Sequence, residues 1–345
     1  MVTVAIAFIL LSLFPVIALR FRPSLIRRKE ESILDSLRNV GGLELDFVKA
    51  LGGEQGIRDK IETYFDPVGL TGPALLLAFL YALGFLLCES YLSLALNEGS
   101  SAPFGRDFVM AARPFLMTFL GAYIFNVGAT IRRMYVSDMT KNVFWGGINR
   151  VLLSAGLAVV ISTALKLGTD ATKPIIQYYY FVFFAIGFLA DVFLDWVLDT
   201  AMKVVNIKDV PAKDVPLRWV KGINIWKVFR LEEEGIENVE NLATADPIDL
   251  AVKTQYTLKT LVDWIDQAIA LDRLGEKAST LRQEGLISGA IDLAWLSPKN
   301  SGDSTTAKLI ADKLVIHQQF VENLMNSFFE DSNVQNLWKL WQKPA

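Results

Sequence analysis

Asp191, Asp195 and Asp199 recur at every fourth residue, which puts three carboxylates on one face of a helix. On an apolar helix such a face has two chemical uses. It can attract cations along a path, or it can hold basic partners in ion pairs that fix helix register. Three more ionisable residues border apolar runs: Glu89, Arg113 and Lys166. They are placed to form a second cluster at the opposite ends of the helices. Arg132, Arg133, Arg150 and Lys203 are the basic groups placed to meet the aspartates. Asn126 is the deepest strongly polar side chain and suits an interhelical hydrogen bond.

Other chemistries find no footing. The chain has one cysteine, Cys88, and one histidine, His317, so an intrachain disulfide and a His/Cys metal cluster are both excluded. His317 reads as a lone side chain within a helical stretch. Asp263 and Asp266 flank Trp264 and Ile265 on an amphipathic helix and read as its solvated face, with Trp264 in the core. No P-loop, G-x-G-x-x-G, G-x-S-x-G or H-E-x-x-H pattern occurs. The sequence reads as a non-enzyme that needs no cofactor or metal. The net charge of −3 gives the whole chain no basic footprint for nucleic acid.

The elements that would position the charges are mostly transmembrane. A bilayer core takes roughly 20 apolar helical residues to cross. Five windows approach that length: Val2 to Leu19, Val68 to Cys88, Pro114 to Ile131, Val151 to Leu165, and Pro174 to Ala190. The second reads on past Glu89 to Leu96, and the fifth through Asp191 towards Met202. Lys166 can snorkel to lengthen the fourth, whose shortness leaves four or six spans as competing counts. No charge lies at the middle of any window. Only Asp191 falls about one turn inside the inner boundary; Asp195 and Asp199 fall at the interface.

Basic residues follow the first window instead of preceding it, as in an uncleaved anchor with its N-terminus outside. Residues 20–66 carry nine Lys/Arg (20, 22, 27, 28, 29, 38, 49, 58, 60), and 132–150 carry four (132, 133, 141, 150). The intervening loops 97–112 and 167–173 carry one each, Arg106 and Lys173. This alternation predicts a plasma-membrane protein with its N-terminus outside and its C-terminus in the cytoplasm.

The expected fold is all-α. Residues 1–22 form the first span, 23–66 a cytoplasmic amphipathic linker, 67–202 a four-helix membrane bundle, and 203–345 a soluble cytoplasmic helical domain. Cut free at about Val210, that domain is expected to fold cooperatively by itself. Within it, Leu231-Glu232-Glu233-Glu234-Gly235-Ile236 leads to Leu242-Ala243 and Asp246-Pro247. Leu281-Arg282-Gln283-Glu284-Gly285-Leu286 leads likewise to Leu293-Ala294 and Ser297-Pro298. The offset is 50 residues, then 51. It marks two candidate units at about 217–271 and 275–330, each a helix, a glycine cap and a second helix. A long helix is expected after each, Leu250 to Leu271 and Thr305 to Phe328.

Through Gly222-Ile223, Leu231, Gly235-Ile236, Leu242-Ala243 and Leu250, residues 217–270 resemble the helix-hairpin-helix (SAM-like) class. The resemblance makes Gly222, Gly235 and Gly285 hairpin glycines. In that family such hairpins present backbone amides to DNA phosphates, often with basic support. Here Glu232, Glu233, Glu234, Glu237 and Glu240 flank the first hairpin, and residues 203–345 hold 17 Lys/Arg against 20 Asp/Glu. Phosphate contacts dominate nucleic-acid affinity, so this surface points away from DNA. The expected partners are the lipid bilayer and a protein or further copies of the chain, and not nucleic acid. The expected function is to present a helical interaction or self-association domain at the cytoplasmic membrane surface. The alternative is an oligomeric pore or ion channel gated by the C-terminal domain.

Overall fold

A computed structural model describes residues 9–96, 103–164, 176–190, 192, 193, 196, 200 and 215–341. Among the described residues all regular structure is helical, apart from one isolated bridge between Pro216 and Asn238. The chain divides into two compact units: Met1–Leu25 with Phe65–Asp209, and Ile26–Tyr64 with Val210–Ala345.

The first unit contains helices α1 (Phe14–Ala18), α5 (Pro67–Leu96), α6 (Pro103–Tyr135), α7 (Lys141–Ala164) and α8 (Ile176–Phe188). Three runs, Gly53–Tyr91, Arg113–Tyr135 and Lys141–Ser162, are long and apolar enough to cross a membrane. The first and fifth windows are described only in part, from residue 9 and from Ile176. Phe79, Leu83 and Leu86 on α5, Val159 and Val160 on α7, and Phe181 on α8 point outward. Helices that are apolar all round need a non-aqueous surround or a larger core.

Small residues set the inner packing. At the crossing of α6 and α8, a Cβ on Gly121 would strike the Phe184 carbonyl, and one on Gly187 would strike the Thr118 carbonyl. The glycines let the two backbones touch, the usual device where lipid removes the hydrophobic drive between helices. Beside them Tyr81, Phe85, Phe119 and Tyr123 pack edge to face, with Tyr81–Tyr123 and Phe85–Tyr123 centroids 4.9 Å apart. Gly84 is needed here because the Phe119 ring lies where its Cβ would be.

The second unit draws on two distant parts of the chain. Residues 26–64 supply most of α2 (Arg22–Asn39), then α3 (Asp46–Ala50) and α4 (Gly53–Tyr64). Residues 210–345 supply α9 (Ile225–Glu232), α10 (Val239–Ala243), α11 (Pro247–Lys253), α12 (Leu258–Leu274), α13 (Glu276–Gln283) and α14 (Ala290–Trp295). They continue with α15 (Pro298–Ser301), α16 (Thr305–Leu314), α17 (Gln318–Glu330) and α18 (Ser332–Trp341). Helix α12 carries the centre of the core, with Leu261, Val262, Trp264, Ile265 and Ala268 all buried. Residues 23–66, expected as a linker, are therefore mostly part of a domain. Their apolar stripe of Ile33, Leu34, Leu37, Val48, Ile57 and Ile61 is buried. The sequence pattern shows that stripe but cannot say what covers it.

Both expected long helices are broken. Thr254 bonds back to the Leu250 carbonyl (2.7 Å) and Thr257 caps the start of α12, so the first splits into α11 and α12. The second splits at Val315, whose φ of 53° is left-handed, and His317 caps α17 through the Gln319 amide. His317 is thus a helix cap and not a mid-helix residue.

The two glycine hairpins close with corresponding bonds. Ile236 N–H donates to the Leu231 carbonyl and Leu286 N–H to the Leu281 carbonyl, both at 3.0 Å. Gly235 (φ 81°) and Gly285 (φ 72°) supply the left-handed residue this closure requires. Fifty-one residues apart, Glu237 N–H donates to Asn241 and Ser288 N–H to Asp292. Gly222 also has positive φ (93°), and a Cβ there would lie 3.2 Å from the Trp264 indole nitrogen.

A core shared by two segments predicts the behaviour of fragments. Each buried Leu, Ile or Val contributes about 1.5–3 kcal/mol, against a typical domain stability of about 5–15 kcal/mol. Residues 210–345 alone should unfold without a cooperative transition and aggregate. The same fragment with residues 26–64 joined through a flexible linker should be soluble and unfold cooperatively in urea. Equal cooperativity of the two would disprove the shared core.

Candidate functional site

Asp191, Asp195, Asp199 and Lys166 lie outside the described residues. Of the expected outer cluster, Glu89 and Arg113 are described. The Arg113 guanidinium meets tyrosines in place of Glu89: Nε donates to the Tyr91 hydroxyl (2.6 Å) and Nη1 to the Tyr180 hydroxyl (3.1 Å). It thereby ties α5, α6 and α8 together at one end.

The largest departure from the sequence reading is Arg150. The fourth apolar window, Val151 to Leu165, excludes Arg150 and places it in the preceding loop. Helix α7 instead starts at Lys141, so Arg150 sits nine residues inside it, about 14 Å along the axis. That is within two residues of the centre of the Lys141–Ser162 run, and the side chain is only 8% exposed. A charge does therefore lie in the middle of a long apolar run, contrary to expectation. The missed signal is Val143-Phe144-Trp145-Gly146-Gly147-Ile148-Asn149, which continues the apolar pattern upstream of the arginine.

Among the described residues, α5, α6 and α8 lie around it. Nη1 donates to the Phe188 carbonyl at the last residue of α8 (3.3 Å). The guanidinium carbon stands 3.7 Å from the centre of the Phe125 ring, and Phe125 stacks edge-on to Phe188 (5.4 Å). One residue along α6, Asn126 donates to the Gly147 carbonyl (3.1 Å), the interhelical bond expected of it. Asn126 and Arg150 both lie near the Tyr81 phenol. These contacts fix the orientation of the guanidinium. Its cation–π contact alone is worth about 2 kcal/mol or more when desolvated.

The second unit carries its own buried polar groups. Lys29, 7% exposed, donates from Nζ to the carbonyls of Ala251 (2.9 Å) and Thr254, at the end of α11. Arg230 donates to the Lys253 carbonyl and to Glu234 (2.7 Å), and the Tyr64 hydroxyl donates to the same carboxylate (3.1 Å). Lys60 pairs with Asp249 (3.0 Å). Burial pushes the Asp249 carboxyl up, but Lys253 and Lys60 more than offset it and leave it below the ordinary value.

Asp266 overturns the expectation of a solvated face. It is 6% exposed, and its Oδ1 accepts from the Ile291 amide (2.7 Å) at the start of α14. The carboxylate occupies the space that a Cβ on Gly289 would need. Gly289 has no side chain with which to cap α14, so Asp266 caps it from a neighbouring helix. Burial pushes its pKa up to about 7; the Asp292 and Asp263 carboxylates add to this, and the Ile291 and Ala290 amides oppose it. The sequence signal was present, since Val262, Ile269 and Ala270 flank Asp266 at helical spacing. Among the described residues no group of three or more His, Cys, Asp or Glu could hold a metal.

The chain matches no protein-family model, no curated protein and no solved structure.

Asp266 makes a pH-dependent contribution with a definite sign. A folded-state pKa of about 7 lies above the usual Asp value of about 3.9. Its share of stability is therefore full below about pH 4 and lost as pH rises through 7. Asp266→Asn keeps an acceptor for the Ile291 amide and removes the titration. In urea unfolding of the full chain in detergent, the drop in stability from pH 5 to pH 8 should shrink by about 1–4 kcal/mol in the variant. An unchanged drop would exclude this role.

Proposed function

We propose that the chain is a multi-pass membrane protein whose apolar bundle anchors a composite helical domain at the cytoplasmic surface, where the domain binds a protein partner or further copies of the chain. The observation that carries this reading is the make-up of the second unit, Ile26–Tyr64 with Val210–Ala345. Three points on the chain, at 25/26, 64/65 and 209/210, join it to the apolar unit. A domain built from the segments on both sides of the apolar helices α5 to α8 cannot drift on a single tether. That suits a platform held at a surface. The loop charges support five spans with the N-terminus outside. The acidic balance around the first hairpin speaks against nucleic acid as a ligand.

A second reading, an oligomeric pore gated by the composite domain, draws on Arg150. An ionisable side chain buried at mid-helix is a candidate for an ion or substrate pathway.

Two measurements test these readings. A reporter active only outside the cytoplasm, fused after Lys60, should be inactive, and one fused within residues 98–105 should be active; the reverse would overturn the orientation. In planar bilayers the purified protein should show no unitary conductance, and Arg150→Gln should create none. An ion conductance in the native protein that falls several-fold in Arg150→Gln, with thermal stability retained, would replace the platform with the pore.

A further inference from the structure

Helix α9 exposes a face that the domain does not cover. Ile225, Trp226 and Phe229 are 57%, 67% and 40% exposed, and the two rings lie edge to face 6.3 Å apart. Asn224 caps the helix through the Lys227 amide, so this short element is well defined. Its opposite face is fixed by buried Arg230 and Leu231. Packing within the domain thus turns these three side chains outward together.

The position of α9 within its unit is informative. Tyr64 and Arg230 share the Glu234 carboxylate, 3.1 Å and 2.7 Å away. Arg230 also reaches the Lys253 carbonyl, next to the Thr254 and Ala251 carbonyls held by Lys29. Tyr64 is the last residue of its segment and Lys29 the fourth of the same segment. Both points where this segment leaves the unit therefore lie at the α9–α11 corner. Just beyond Tyr64 begins the apolar helix α5. At 1.5 Å per residue, Phe229 and Trp226 are within about 12 Å along α9 of the Glu234 end.

We propose that the Ile225–Trp226–Phe229 face of α9 rests in the interfacial zone of the lipid bilayer, as an aromatic anchor for the composite domain. This rests on the membrane reading above. Tryptophan and phenylalanine with an adjacent aliphatic suit that zone, where an apolar body enters the acyl boundary and the indole N–H stays at headgroup level. Arg218 and Lys221 are exposed on the N-terminal side, Glu232 and Glu233 on the C-terminal side. The charges directly flanking the patch balance, while the hairpin beyond Glu233 is acidic. Anchoring is aromatic and not electrostatic, and a zwitterionic surface suffices.

The test uses the full chain in phosphatidylcholine vesicles. In a Cys88→Ser background, Trp226→Cys, Phe229→Cys and Glu237→Cys each carry an environment-sensitive nitrobenzoxadiazole probe; Glu237 is exposed on the hairpin. At 226 and 229 the emission should be blue-shifted and quenched several-fold more by brominated lipid than at 237, with iodide quenching correspondingly weaker and salt of about 0.5 M, well above physiological strength, without effect. Vesicle flotation separates the two levels of the argument. Failure to float ends the membrane reading and this inference together. Flotation with iodide quenching at 226 and 229 equal to that at 237 ends this inference alone. Probes shielded from both quenchers, and still shielded in detergent, would assign the face to a protein and equally overturn it.

Discussion

The end of helix α11 poses the problem on which the second unit depends. The last carbonyls of any helix lack partners of their own, and leaving them buried and bare costs about 1–3 kcal/mol each. Here they are served from far away in sequence. Lys29 reaches the Ala251 and Thr254 carbonyls, and Arg230 reaches that of Lys253. The Lys29 bonds cannot form unless residues 26–64 and 210–345 are folded together, whereas Arg230 serves Lys253 from within 210–345. The apolar stripe of α2 and α4 supplies the burial; the Lys29 ammonium sets the register in which burial occurs. Lys29 is otherwise an unlikely core residue, since burying an ammonium is costly without such acceptors.

The same solution recurs elsewhere. Asp266 supplies the cap that Gly289 cannot, and the glycine makes room for it. Arg150 serves the carbonyl of Phe188, the last residue of α8, and Asn126 serves that of Gly147. Each pairing joins elements distant in the chain by a polar contact inside an otherwise apolar packing. Such contacts are unforgiving of displacement, which gives the packing a single arrangement. In the apolar unit the close crossing at Gly121 and Gly187 adds a steric constraint of the same kind.

The sequence disclosed what depends on local pattern. Long apolar runs marked three helices able to cross a membrane, and the glycine hairpins showed in the Leu-x-x-x-Gly pattern. Asn126 was identified as an interhelical donor. What it hid depends on contacts between distant segments. Arg150 read as a loop residue because charge was taken to end a window, whereas the helix runs ten residues further upstream. Asp266 read as solvated because carboxylates usually are, although its helical neighbours are apolar. Lys29 sits in a basic run that reads fully as a topology signal, so nothing local marks it as buried. The breaks at Thr254 and Val315 required side-chain caps that periodicity does not register.

The central claim is that residues 26–64 and 210–345 form one cooperative structure. Amide hydrogen exchange on the full chain in detergent tests it most directly. Amides of α2 and α4 should exchange with the same free energy of opening as those of α11 and α12, because all four are exposed only by the same unfolding event. Lys29→Met should lower that free energy in all four helices together, by about 1–3 kcal/mol. Fast exchange in α2 and α4 that leaves α11 and α12 protected, unmoved by Lys29→Met, would contradict the account.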